Sequence, residues 1–203
     1  ISVLYYADRI NQLPLGVVGI AIGTSLLPLL SRQLRDGSTE AAMANQNRAI
    51  EFGLLFSLPA AAAFGVAAVP IMATLFEGGE FGPAESARAA AALVAFAAGL
   101  PAFIMVKALA TGFYAREDTR TPLLIALASI AFNAALNVIY LWGTDLEHVG
   151  VALASSLSGW LNALLLAWVL VRRKHLVADA RLMSRSWRML VAALAMGLGL
   201  WLA

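Results

Sequence analysis

The sequence predicts an all-α protein, a polytopic transmembrane helical bundle with five complete spans and the start of a sixth. Three observations carry this. First, 61% of the 203 residues are hydrophobic and 13% are charged, against a charged share of roughly 25% in a soluble domain; the mean hydropathy is +0.81. A chain of this size cannot hide so much apolar surface from water, so its solvent is lipid. Second, long stretches without Asp, Glu, Lys or Arg alternate with short charged loops. Third, the sign of the loop charge alternates too.

The charge-free stretches give the elements in order: 10–31, 52–76, 89–115, 121–144, 148–171 and 189–203. Each of the first five meets the roughly 20 residues that cross about 30 Å of hydrocarbon at about 1.5 Å per residue. The third does so only if Lys107 is tolerated. The sixth run is cut short at Trp201-Leu202-Ala203 and the chain opens on Ile1, so it reads as a fragment of a longer chain, a single transmembrane region over 1–203. None of the runs alternates polar and apolar residues as the strands of a membrane barrel would, which leaves helix. No signal-peptide pattern is present.

The loops orient the bundle. Arg32, Arg35 and Arg48, then Arg116 and Arg120, then Arg172, Arg173, Lys174, Arg181, Arg185 and Arg188 occupy alternate loops and make up eleven of the fourteen basic residues. The opposite loops hold Glu77, Glu80, Glu85, Asp145 and Glu147, with Arg88 as their one basic residue. Positive-inside bias puts the arginine loops in the cytoplasm and the chain in an inner membrane. The stretch 172–188 reads as a cytoplasmic loop, with an interfacial or loop helix over 176–188. With the basic residues so placed, they are topology determinants rather than a nucleic-acid surface, despite a pI near 9.3.

Pro14, Pro28, Pro59, Pro70 and Pro101 lie in or near the spans. Each frees a carbonyl that neighbouring helices or cavity water must satisfy. Gly16, Gly19 and Gly23 give the first span a small-residue face, suited either to close helix packing or to bending.

Few residues can carry chemistry. Asp8 and Arg9 head the first span, just after Tyr5 and Tyr6. Two readings stand: all four anchor the helix at the membrane interface, or Arg9 faces a water-filled cavity and holds an anion, with Asp8 orienting it. Lys107 either snorkels to the interface or contacts a substrate. Asn133 and Asn137 share one helix face and, with Ser155, either bond neighbouring helices or bind a monovalent cation. Enzyme signatures fail. There is no cysteine; His148 and His175 have no partner at metal-ligand spacing; Gly78-Gly79 is not followed by a phosphate-loop Lys. Neither a metal nor a cofactor is expected.

The residues also carry a resemblance. Tyr5-Tyr6-Ala7-Asp8-Arg9, Leu13-Pro14-Leu15-Gly16-Val17, Gly23-Thr24-Ser25-Leu26-Leu27-Pro28 and Ser31-Arg32 are similar to the MurJ/MviN family of lipid II flippases. So are Leu75-Phe76-Glu77-Gly78-Gly79-Glu80-Phe81 and Phe113-Tyr114-Ala115-Arg116-Glu117-Asp118-Thr119-Arg120-Thr121-Pro122. The resemblance implies a fold of the multidrug/oligosaccharidyl-lipid/polysaccharide exporter superfamily, with two bundles around a central cavity. It implies that the whole protein moves lipid II, the undecaprenyl-pyrophosphoryl disaccharide-pentapeptide, from the inner to the outer leaflet among membrane lipids. It places Arg9 among the cavity arginines that meet the pyrophosphate, with Asp8 beside it. Some members have glutamate where this chain has Gln12, a substrate-site position without charge here. Two rival readings remain: a multidrug or cation-coupled antiporter of the same superfamily, which would use acidic cavity residues, and a non-transporting membrane subunit or enzyme.

Overall fold

The computed structural model describes residues 2–79, 81–143 and 147–202. Glu80 and Asp145, placed above in the acidic loops, and Thr144, the end of the fourth stretch, lie outside the described residues. Six helices follow in order: α1 Ser2–Arg35, α2 Thr39–Phe76, α3 Pro83–Tyr114, α4 Arg120–Gly143, α5 Glu147–Arg172 and α6 Ala180–Leu202. The first five are long and apolar enough to cross a membrane. Helices α1 and α2 run well past their apolar stretches, to 34 and 38 residues, because polar residues at their ends continue the backbone ladder at no desolvation cost once outside hydrocarbon. Residues 180–188, within the stretch 176–188 read as an interfacial or loop helix, are the first turns of α6, continuous with the apolar run 189–202.

Local chemistry sets the ends. Gly37, at φ 74°, closes α1, with Ser38 N–H donating to the Gln33 carbonyl at 2.8 Å; only glycine adopts that dihedral without a Cβ penalty. Pro83 opens α3 at a position where no N–H is needed. Asp118 and Asp179 cap α4 and α6, their carboxylates accepting the Thr121 and Leu182 amides at 3.0 and 2.7 Å. Helix α1 stays helical through Pro14 and Pro28. Helix α2 does not stay regular: Ala67, three residues before Pro70, has φ −98° and ψ 16°, because the proline ring pushes away the carbonyl four residues back.

Helix α3 is the centre, packed between α1, α2 and α5, while α4 lies against α5. Small residues allow this. Ile104 of α3 projects onto Gly53 of α2, Phe103 onto Gly159 of α5, and Ser156 of α5 onto Gly99 of α3. Ser156 Oγ donates to the Ala95 carbonyl at 2.6 Å, and Trp160 Nε1 to the Ala98 carbonyl at 2.9 Å. Lipid gives helices no hydrophobic reason to associate, so close approach and interhelical hydrogen bonds hold them. Large apolar side chains remain exposed outside, among them Val17 and Ile20 of α1 and Leu124 and Ile130 of α4.

Candidate functional site

Asp8 and Arg9 lie about two turns inside α1, at the end of the bundle opposite the basic loops. Arg35 stands 26 residues further on, about 39 Å along the axis. Neighbouring helical residues diverge by about 100°, so the two charges cannot meet directly. Gln12, four and three residues on, reaches both: its Nε2 donates to Asp8 Oδ2 at 2.5 Å, and its Oε1 accepts from Arg9 Nη1 at 3.3 Å. Tyr5, one turn back, lies under the guanidinium, 4.8 Å from ring centroid to Cζ. The rest of the Arg9 fork takes no partner among the described residues, and the side chain is exposed. Tyr6 packs on Phe76 and Phe81, at 4.7 and 5.1 Å, which ties this end of α1 to the α2–α3 turn.

From Gln12 a groove of about 460 Å³ follows the glycine face of α1 past Gly16, Gly19 and Gly23 to Thr24, with Lys107 of α3 across it. Lys107 packs across Gly19: a Cβ at that position would stand 3.5 Å from Lys107 Cγ, at ordinary van der Waals distance. Lys107 also borders a second groove of about 510 Å³, lined by Ser129 and Asn133 of α4 and by Ser155, Ser158 and Asn162 of α5. Gln12 and Lys107 therefore share one groove, and Lys107, Asn133 and Ser155 the next. Asp8 and Arg9 line neither. Asn137 lines neither as well; its Nδ2 donates along the helix to Asn133 Oδ1 at 2.9 Å. Ser155 Oγ donates to the Val151 carbonyl at 3.0 Å.

The basic rim at the other end is heavily paired. Arg173 donates to Asp118 Oδ2 at 2.6 Å and to Thr121 Oγ1 at 3.1 Å. The Asp118 carboxyl is held down to about 2, first by hydrogen bonds from the Thr121 amide and hydroxyl, then by Arg173. Partial burial and the nearby Arg116 and Arg173 push the His175 imidazole below its ordinary value. Asp179 is also lowered, chiefly by the Leu182 amide.

The family profile described as lipid II flippase MurJ matches residues 1–203, the whole chain. This chain belongs to the MurJ family. Among its relatives, the probable lipid II flippase MurJ of Rhizobium meliloti is 47% identical over all 203 residues, which are 38% of that protein. The lipid II flippase MurJ of Burkholderia cenocepacia is 34% identical over 166 residues, 82% of this chain and 32% of that protein. A solved structure titled lipid II flippase MurJ, inward closed conformation, superposes on the whole chain with a TM-score of 0.84 at 25% identity, and the chain covers 41% of it. The chain thus spans about two fifths of the length of the MurJ proteins it matches. Like them it is a multi-pass membrane protein, all-helical.

Two of the MurJ-like motifs lie at opposite ends of the bundle: Tyr5–Arg9 by the α2–α3 turn, and 113–122 at the basic rim. In the second, Arg116 Nη1 donates to the Gly112 carbonyl at 2.7 Å and Asp118 caps α4, so this motif builds a turn between helices. Sequence reading passed over Glu51, Asn47 and Asp179 at the same rim. The spacing Arg48-x-x-Glu51 at the head of α2 was the available signal, since residues three apart share a helix face.

Proposed function

We propose that the whole protein, to which this chain contributes six helices, is a transporter rather than an enzyme. It flips lipid II from the inner to the outer leaflet of the bacterial cytoplasmic membrane by alternating access, in peptidoglycan synthesis. The observation that carries this is family membership over the full chain, with the Asp8-Arg9 motif presented on an exposed face of α1. A lipid-linked pyrophosphate cannot cross hydrocarbon unaided, and a guanidinium offers it a planar, bidentate fork. Arg9 is the pyrophosphate contact. Gln12 and Asp8 set its position: one amide accepts from Arg9 and donates to Asp8, an arrangement that a second carboxylate could not reproduce. Lys107 is a further cationic contact, nearer the basic rim. Grooves lined by lysine, amides and hydroxyls suit an anionic, glycosylated headgroup better than a cationic drug. The arginine loops face the cytoplasm, which puts Arg9 toward the outer end of the path.

In the full-length protein, Arg9→Ala is expected to abolish or severely weaken lipid II exposure on the outer leaflet, normalised to inserted protein. Losing one charged hydrogen-bond partner costs about 1.5–3 kcal/mol, roughly 10- to 150-fold in affinity. Arg9→Lys restores part of the activity, and Gln12→Ala is milder than Arg9→Ala. Native exposure in Arg9→Ala would make Arg9 an interfacial anchor only.

Asn133, Asn137 and Ser155 are the candidate site for a coupling monovalent cation, built from amide and hydroxyl oxygens. Replacing both asparagines by leucine should lower cation-dependent transport more than protein abundance. An equal fall in both would leave them as packing residues.

A further inference from the structure

Helix α6 packs on α2 and on no other helix among the described residues, so whatever fastens it to α2 decides whether it moves with the bundle. Along its length the contact is made by small residues, with Ala193 and Gly197 buried against α2. Gly197 faces Ala62 and Val66, and the outward side chains Leu194, Leu198 and Trp201 are exposed. The foot of α6 is held differently. The Glu51 side chain of α2, 7% exposed, is surrounded by three guanidinium groups. Arg48, one turn earlier on α2, pairs with it directly. From α6, Arg185 Nη1 reaches its Oε1 at 2.5 Å and Arg181 Nε its Oε2 at 3.7 Å. The other arm of Arg48 pairs with Asp179, the residue that caps α6.

The linker before α6 is strapped across the neighbouring helix ends. Asn47 of α2 donates to the Val177 carbonyl at 2.8 Å, and Arg116 to the His175 carbonyl at 3.2 Å. Leu176 and Leu182 are buried in the main core. The strap leaves α5 through Lys174, whose φ of 58° is left-handed, a strained dihedral for a non-glycine residue. The node at Glu51 carries three positive charges against two negative ones. Without Glu51 the half-exposed guanidiniums of Arg181 and Arg185 would lose their shared partner on α2, and three positive charges would stand against Asp179 alone.

We propose that Glu51 is the keystone of a clasp that fixes α6 on α2. Closed, it makes α6 and the strapped ends of α2 to α5 one body; open, it frees α6 to swing about the turn at Lys174. Within this clasp Glu51 is a positioning residue, acting through Arg181 and Arg185.

The test reads the position of α6 far from the clasp. A Cβ at Gly197 would stand 3.6 Å from that of Ala62, inside the range that a disulfide bridges. The Ala62→Cys/Gly197→Cys pair, in the full-length protein otherwise freed of cysteine and kept in membranes, should cross-link readily under mild oxidation. Adding Glu51→Gln should slow cross-linking, by at most about tenfold, the limit set by one lost charge-assisted hydrogen bond. Glu51→Lys should slow it further, and Glu51→Asp should restore most of it. Should Glu51→Gln fail to accumulate, Arg185→Gln, which changes a half-exposed partner, reads the same quantity and should slow it several-fold. Cross-linking at the native rate in Glu51→Gln, or in Arg185→Gln where the first is absent, overturns the clasp. The readout is independent of what the protein transports.

Discussion

His175 shows how one side chain can make the basic rim sensitive to pH. Its Nδ1 is buried without a hydrogen-bond partner among the described residues. Desolvation first, then repulsion from Arg116 and Arg173, depresses its affinity for a proton, while Asp118 opposes them weakly. A base whose folded value lies below its unfolded value, about 6.5, binds protons more weakly when folded. Its contribution to stability is complete above about 6.5 and is lost as pH falls through the folded value. Asp118, held to about 2, loses its contribution only between about 4 and that value, far more acidic than this. Acidification from pH 7.5 to about 5.5 should therefore lower hydrogen-exchange protection factors in the linker 173–179 through His175 and not through Asp118. In His175→Asn the fall should disappear. A fall of equal size in that variant would remove His175 as the cause.

At the scale of elements, the glycines of the interfaces are not equivalent. A Cβ on Gly99 would lie 2.5 Å from Ser156 Oγ and 2.8 Å from its Cα, so the clash involves backbone and cannot be relieved by a rotamer change. Gly65 has open space around its Cβ position. Gly99→Ala should destabilise the α3–α5 pair by about 1–3 kcal/mol. Gly65→Ala, in the same kind of helix, should be neutral or gain up to about 1 kcal/mol from helix propensity. Thermal stability of the purified full-length protein in detergent separates them. Equal midpoints for the two variants would mean that the α3–α5 approach is looser than described. The glycine interfaces also explain why α3 is central. Its alanines and glycines let three neighbours approach its backbone.

For the molecule as a whole, the pairing of helix ends groups all the arginine loops at one rim, and the topology proposed above makes that rim cytoplasmic. Single cysteines at Asp36, Glu117 and Ala178, all exposed beyond helix ends, should resist a membrane-impermeant thiol reagent in intact cells. One at Glu77, in the α2–α3 turn, should react. Labelling of the first three from outside would invert the bundle and place Arg9 at the cytoplasmic end of the path.

What the sequence by itself determined follows from properties that are local along the chain. Runs of charge-free residues mark five helices because each must cover hydrocarbon with its own backbone bonds. The arginine bias separates the two sets of loops, and the Asp8-Arg9 and 113–122 motifs carry the family. Even the Gln12 bridge was within reach, as residues three and four apart share a face. The tertiary structure decided what depends on which helix meets which. Hydropathy cannot choose among faces that are all apolar, and in lipid the choice falls to small residues that permit close approach. Hence Lys107 lies across Gly19, Asn133 borders a groove while Asn137 bonds back to it, and α6 begins at Ala180 rather than after the charged stretch. Hence too Glu51 of α2 meets Arg185, 134 residues away, a contact set by packing and by no pattern along the chain.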